Sequence, residues 1–182
     1  MGGDTIVAYE YLQNRSKGLD SAAAYPYDPQ TDPFDPPKCK ADASEPVAKV
    51  TGWSYAVRRC EGGECAESWR SGGDAEAQLA AVVANTGPVS ICIDAAPSLK
   101  KYTGGILDPT DCKSTVESLN HCVHLVGFDT SGDQPYWIVK NSWGVKFGED
   151  GYFRLAYGKN ACGITDEATV VHVAKPDERI IN

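Results

Sequence analysis

Tyr136-Trp137-Ile138-Val139-Lys140-Asn141-Ser142-Trp143-Gly144-Val145-Lys146-Phe147-Gly148-Glu149-Asp150-Gly151-Tyr152 passes from a strand-like run into a polar turn punctuated by glycine. The run Tyr136 to Lys140 is rich in aromatic and β-branched residues, and Asn141 to Gly151 has turn chemistry. Upstream, Asn120-His121-Cys122-Val123-His124-Leu125-Val126-Gly127-Phe128 reads in the opposite sense, with polar residues opening a strand. Reactive groups collect at such strand ends because a rigid scaffold holds them there. Taken singly, a histidine beside a strand is a structural residue and Asn-Ser-Trp-Gly is a turn.

Working outward, strands are expected at Val47 to Val57, Val89 to Asp94, Cys122 to Phe128, Tyr136 to Lys140, Tyr152 to Tyr157 and Ala168 to Val173. Turn residues such as Ser131-Gly132-Asp133 between them indicate an antiparallel sheet or barrel. A helix is predicted from Asp4 to Lys17, with Asp4 or Thr5 at its start and Gly18 at its end. A second runs from Asp74 to Asn85, where Leu79, Val82 and Val83 form the apolar face and Gly87-Pro88 stops it. The stretch from Asp28 to Pro37 is a proline-rich loop, and Cys60 to Gly73 is a polar surface excursion that a Cys60–Cys65 bridge could staple. A leading helix followed by a strand-rich body gives the α+β class.

The chain has 182 residues, 23% of them charged, with 17 Lys and Arg against 25 Asp and Glu and a net charge of −8. Such a surface repels phosphate backbones, so no nucleic acid partner is expected. No apolar run reaches the roughly 18 residues of a membrane span. Seven cysteines suggest oxidising surroundings, and an odd number leaves at least one without a partner inside the chain. Zinc would need a second Cys-x2-4-Cys knuckle beside Cys60 and Cys65, and none is present, so neither metal nor cofactor is expected. Met1 to Ile6 has no basic, apolar leader. Either the protein is cytosolic or a leader lies outside this sequence, and the cysteines favour the latter.

Together the two quoted stretches resemble the papain-like cysteine proteases. That family sets a catalytic histidine in (Asp/Asn)-His-(Ala/Gly)-Val and an orienting asparagine in Asn-Ser-Trp-Gly, continued as Gly-x-x-Trp-Gly-Glu-x-Gly-Tyr. The likeness extends to Gly2-Gly3, Tyr25-Pro26-Tyr27 with Cys39, Gly87-Pro88-Val89-Ser90 with Asp94-Ala95, Tyr102 with Gly104-Gly105-Ile106, and Cys162-Gly163-Ile164. It departs at Phe147, where the family has Trp. The resemblance implies a papain-like fold that is incomplete: residues 1–53 as the remnant of a helical domain, and 54–182 as a β-barrel-like domain carrying the His and Asn.

The resemblance also implies roles. His121 is the general acid/base, Asn141 orients its imidazole, and Trp143 shields that bond from water. His124 is read as structural, facing a side similar to that of His121 but lying deeper along the strand. Gly2, Gly3, Asp4, Cys92, Leu119, Asn120, Trp143 and Glu167 line the substrate cleft, with Glu167 at a pocket floor where a carboxylate would accept Arg beside large apolar residues. Cys112 and Cys162 match a family disulfide, Cys39 matches a cysteine whose partner lies upstream, and Cys92 and Cys122 read as buried thiols on strands.

No cysteine stands in the family's nucleophile motif. The histidine follows that cysteine by roughly 130–150 residues, so the nucleophile is expected ahead of Met1 or on a second chain. The expected function is a cysteine-type endopeptidase acting on a peptide or protein substrate, in a lysosome-like compartment or outside the cell. The chain alone is expected to be inactive. The alternative is a pseudoprotease that binds peptides or serves as an interaction module.

Overall fold

A computed structural model describes residues 3–15, 18–27, 46–58 and 73–174. The expected Cys60–Cys65 bridge, Gly2 and Cys39 lie outside these residues. The chain divides into two compact units, Met1–Ser54 with Val171–Asn182, and Tyr55–Val170.

In the first unit, helix α1 spans Thr5–Arg15. It starts where the chain offers a capping acceptor: Asp4 Oδ1 accepts the Ile6 and Val7 amides at 2.7 and 3.3 Å, satisfying donors that have no partner within the first turn. Ile6, Tyr9 and Leu12 are half-buried on one face, whereas Val7 and Tyr11 are exposed. Gly18 follows at φ 148°, with room for no side chain, because a Cβ there would stand 2.4 Å from Pro46 Cβ. Leu19 then bridges Ala48: its amide donates to Ala48 O at 2.8 Å, and its carbonyl accepts the Val47 amide at 2.9 Å. Strand β1 (Lys49–Tyr55) lies beside the end of β7 (Glu167–Ala174). There Ser54 Oγ meets His172 Nε2 at 3.1 Å.

The second unit is built on a sheet. Its strands are β2 (Val89–Ile93), β3 (Ile106–Leu107), β4 (His121–Asp129), β5 (Tyr136–Lys140), β6 (Tyr152–Ala156) and the start of β7. They are ordered β7-β2-β4-β5-β6-β3. All adjacent pairs in that order are antiparallel except β3 with β6, which is parallel. The two-residue β3 was not visible as a strand because two residues carry no periodicity. The other strands fall within one or two residues of their expected ends.

Alternation places the core. On β5, Trp137 and Val139 are fully buried, as are Phe153 and Leu155 on β6 and Leu125 on β4. Helix α2 (Gly73–Thr86) lays Ala75, Leu79 and Val83 into the same core at spacings of four, and Gly87 at φ 101° ends it. A single turn, α3 (Pro97–Lys100), starts with Pro and buries Leu99. Taking about 25 cal/mol per Å2, each fully buried aliphatic side chain here stabilises by about 1.5–3 kcal/mol.

Glu76 sits on the same inward face of α2 and is fully buried. Its carboxylate accepts Trp137 Nε1 at 3.3 Å, the Asn160 amide at 3.2 Å and the Gly158 amide. Burial is the dominant influence on it and pushes its pKa up, and the three donors partly offset that.

Two expectations need correction. Cys92 and Cys122 are not thiols but a disulfide. They are register partners on β2 and β4, with Cα atoms 3.9 Å apart, so their sulfurs meet across the ladder. His124 is exposed, not deeper in the strand. It lies three residues beyond His121, and the period of two gives the inward positions to Val123 and Leu125.

Candidate active site

The site forms where β4 begins and β5 ends. The start of β4 is pinned to the end of β2 by Asn120. Its amide donates to Ile93 O at 3.0 Å, its Oδ1 accepts the Ala95 amide at 2.9 Å, and its Nδ2 donates to Asp94 Oδ1 at 2.8 Å. Asp94 is itself held, accepting the Lys113 amide at 2.9 Å and donating its own amide to Cys162 O at 2.9 Å. Close by, Cys112 and Cys162 form the expected disulfide. The side chain of the residue before His121 is therefore tied down at both its oxygen and its nitrogen, and the histidine is presented from a rigid base.

Asn141 follows β5 directly, and the antiparallel β4–β5 pairing carries it back to His121. Its amide donates to Gly151 O at 2.9 Å, and the residue is 8% exposed. Asn141 Oδ1 lies 2.9 Å from His121 Nε2 and 2.8 Å from the Ser142 amide. A backbone N–H can only donate, so the atom facing Ser142 is the oxygen of the side-chain amide, which settles its orientation. An oxygen without a proton must then accept from Nε2 as well. The neutral imidazole is thus the Nε2–H tautomer, and Nδ1 keeps its lone pair. Among the described residues Nδ1 has no hydrogen-bond partner.

Trp143 stacks on the imidazole at a centroid distance of 4.8 Å and an interplanar angle of 25°. Although 39% exposed, it is braced by Phe147, which meets it edge-on at 5.0 Å and also packs near Tyr102 and Phe153. Phe147 thus keeps an aromatic packing partner for Trp143 with no indole N–H to satisfy. The loop that carries both rings is anchored by Glu149. That carboxylate takes two hydrogen bonds from Arg154, at 3.0 and 2.7 Å, and one from the Gly105 amide at 3.0 Å. The Arg154 bonds are the main cause holding its pKa below the usual carboxylate value. Gly148, at φ 52°, lets the loop pass close to Tyr152, where a Cβ would stand 2.5 Å from the Tyr152 carbonyl oxygen.

The structure therefore brings His121, Asn141 and Trp143 into direct contact. Glu167 and Cys92 are together one ladder position along, where Cys92 pairs with Cys122, the neighbour of His121, and Glu167 Oε1 is 3.3 Å from Cys92 Sγ. Leu119 is half-buried near Gly163: a Cβ on that glycine would stand 3.0 Å from Leu119 Cδ2. Gly3 and Asp4 belong to the first unit, where Asp4 caps α1. The four described cysteines are all in disulfides. So among the described residues no thiol is free to act as a nucleophile. Glu76 escaped the reading of the sequence, although an acid in register with Leu79 and Val83 was the signal for it.

Known proteins resemble this chain over most of its length. The family model described as "Papain family cysteine protease" matches residues 1–172. "Cysteine proteinase 3" of Solanum lycopersicum is 34% identical over 173 residues, covering 95% of this chain and 43% of that protein. A "Cathepsin L-like proteinase" of Phaedon cochleariae is also 34% identical, covering 92% and 44%. The chain therefore spans less than half the length of these relatives. Among solved structures, digestive procathepsin L 3 of Tenebrio molitor superposes with a TM-score of 0.74 at 34% identity, over 93% of this chain and 48% of that one. The bromelain protease of Ananas comosus gives 0.70 at 29% identity, over 93% and 69%. With its mixed sheet, its helices and its His121–Asn141–Trp143 cluster, the chain belongs to the papain family of cysteine proteases.

Proposed function

We propose that this chain provides the acid/base half of a cysteine peptidase site, His121 with Asn141, and that the thiol comes from outside these 182 residues. One observation carries the reading: the 2.9 Å bond from His121 Nε2 to an Asn141 oxygen already engaged by Ser142. It leaves Nδ1 as the free base. In the proposed reaction Nδ1 takes the proton of a cysteine thiol, and the thiolate attacks the carbonyl carbon of a peptide bond. The imidazolium then returns its proton to the departing amine, and water releases the acyl group from sulfur. The stack of Trp143 on the ring keeps water from the Nε2–Oδ1 bond, which strengthens it.

Glu167, half-buried, is the proposed floor of the specificity pocket, with Cys92, Leu119, Asn120 and Trp143 as its surroundings. A carboxylate there favours an Arg side chain. The substrate is a peptide or protein, and the nucleophile segment precedes Met1 or belongs to a second chain. The two disulfides fit a lysosome-like or extracellular setting. A second reading, a peptide-binding module without turnover, draws on the lack of a free thiol among the described residues.

The test uses fluorogenic peptides with Arg or Phe at the selecting position, offered to the 182-residue chain and to the protein purified from its source. The expected result is no turnover by the chain, and turnover by the natural protein that a thiol-alkylating agent abolishes. Alkylation-sensitive turnover by the chain alone would overturn the external nucleophile, and silence from both would favour the binding module. In the active protein, Glu167→Ala is expected to lose Arg cleavage and keep Phe cleavage. Unchanged selectivity would remove Glu167 from the pocket.

A further inference from the structure

Outside the His121 pair, the described residues hold one group of three metal-ligating side chains, two sulfurs and a carboxylate. Cys92 is the register partner of Cys122 on one side and of Glu167 on the other. The three residues form a row across β7, β2 and β4, and such directly opposed side chains touch on one face of a sheet. Their two sulfurs and a carboxylate oxygen all lie within 4.8 Å of one another. Cys92 is 3% exposed, and Cys122 and Glu167 are half-buried. The ladder that aligns them does not depend on the S–S bond: β2 pairs with β4 from Val89–Leu125 to Ile93–His121, and Asn120 adds its own bonds to Ile93, Asp94 and Ala95.

As a disulfide the two sulfurs are poor metal ligands. A dithiol reductant changes this in one exchange: one of its thiolates attacks a sulfur of the pair, and its second thiol closes on the first. The reductant leaves as a cyclic disulfide, and two electrons and two protons pass to Cys92 and Cys122. The products are two thiols held opposite each other with a carboxylate alongside. Two thiolates and a carboxylate suit a tetrahedral, borderline-soft dication, which takes sulfur at about 2.3 Å and carboxylate oxygen at about 2.0–2.2 Å.

We propose that the reduced row Cys92–Cys122–Glu167 binds a divalent cation of the Zn2+ class, and that the disulfide closes this site. Binding expels the two thiol protons. Three protein ligands leave the fourth position open to water. The proposal does not rest on the peptidase reading, since its test measures metal and not turnover.

The chain is reduced with dithiothreitol, freed of reductant under argon and titrated with Cd2+, a spectroscopic stand-in for Zn2+, by ultraviolet thiolate-to-metal absorption. Other cysteines are in the same state in every reduced protein compared, so the Cys92→Ser/Cys122→Ser variant isolates this site. Reduced wild type is expected to take up one equivalent more than that variant, and more than the oxidised wild type. Glu167→Gln is expected to keep that equivalent but weaken it by at least the roughly 10–100-fold seen for loss of an outer-shell partner. Glu167→Gln, compared with wild type in the same reduced state, keeps the test decisive if the double variant fails to fold. Equal uptake in reduced and oxidised wild type, or equal affinity in Glu167→Gln, would overturn the site. So would a disulfide that stays closed to the reductant in the folded chain, as read by the mass after alkylation.

Discussion

Two polar clusters lie in the same unit, and they differ in how completely their valences are used. Around Glu76, the carboxylate oxygens meet three donors, from Trp137, Gly158 and Asn160, in a fully buried setting. Around His121, the Asn141 oxygen is engaged twice, yet His121 Nδ1 and the buried Asn141 Nδ2 have no partner among the described residues. A saturated cluster has nothing left to offer a substrate, so its free energy goes into holding α2 against β5 and the segment after β6. An open cluster keeps an unpaired base in a fixed direction, which costs stability and is what acid/base chemistry requires. Polar burial alone therefore does not mark a site.

The largest expected effect breaks the closed cluster. Glu76→Ala leaves a buried indole N–H and two backbone N–H groups without their acceptor, at a cost of about 3 kcal/mol or more. Urea unfolding of the chain checks this, and a loss below about 1 kcal/mol would show that the cluster contributes little. Next comes the open cluster. In the active protein, Asn141→Ala is expected to lower kcat/KM by about 10²-fold, or ~2.7 kcal/mol in the barrier, while stability changes by only about 1 kcal/mol. If stability fell as far as for Glu76→Ala, the contrast between the two clusters would collapse.

The smallest effect sharpens the contrast through pH. Glu149 has a pKa below its ordinary 4.5 because Arg154 binds its charged form. Its contribution is complete above 4.5 and is lost as the pH falls through the folded-state value. Glu76 has the opposite sign: burial raises its pKa above 4.5, so its contribution is complete below 4.5 and declines as the pH rises through the folded-state value. The Glu149–Arg154 side chains are about a third exposed, so Glu149→Gln should cost about 1 kcal/mol or less at neutral pH. Chemical unfolding at a series of pH values should show that Glu149→Gln loses less stability than wild type in acid. Parallel curves for the two proteins would remove the ion pair from the stability balance.

Much of the site was legible through the family resemblance, and the stretches that carry that resemblance are local. Asn120-His121 at the head of one strand and Asn141-Ser142-Trp143-Gly144 at the tail of another each carry their own strand and turn signals. Antiparallel pairing of neighbouring strands then brings a head beside a tail. The core was legible because period two on β5 and β6 and period 3.6 on α2 place Trp137, Val139, Phe153, Leu155 and Leu79 inside. His124 was misplaced because it was put on a side similar to that of His121, as a spacing of two would have it, whereas a spacing of three turns it to the opposite face. Glu76 was overlooked because an acid on an apolar face is intelligible only with its donors in view.

What the sequence determined by itself was therefore the α+β class and the strand and helix positions, which rest on chain-local periodicity and turn chemistry acting over a few residues. His121, Asn141 and Trp143 were named as a set only through the resemblance to the papain-like family. Only the tertiary structure decided that Cys92 and Cys122 are bridged and not buried thiols, that Glu167 completes their row, and that three donors converge on Glu76. Each of these depends on register between strands or on elements brought together from 30 to 84 residues apart. Register is set by how the whole sheet buries its apolar face, and a shift of one residue would move a strand's side chains to the other side.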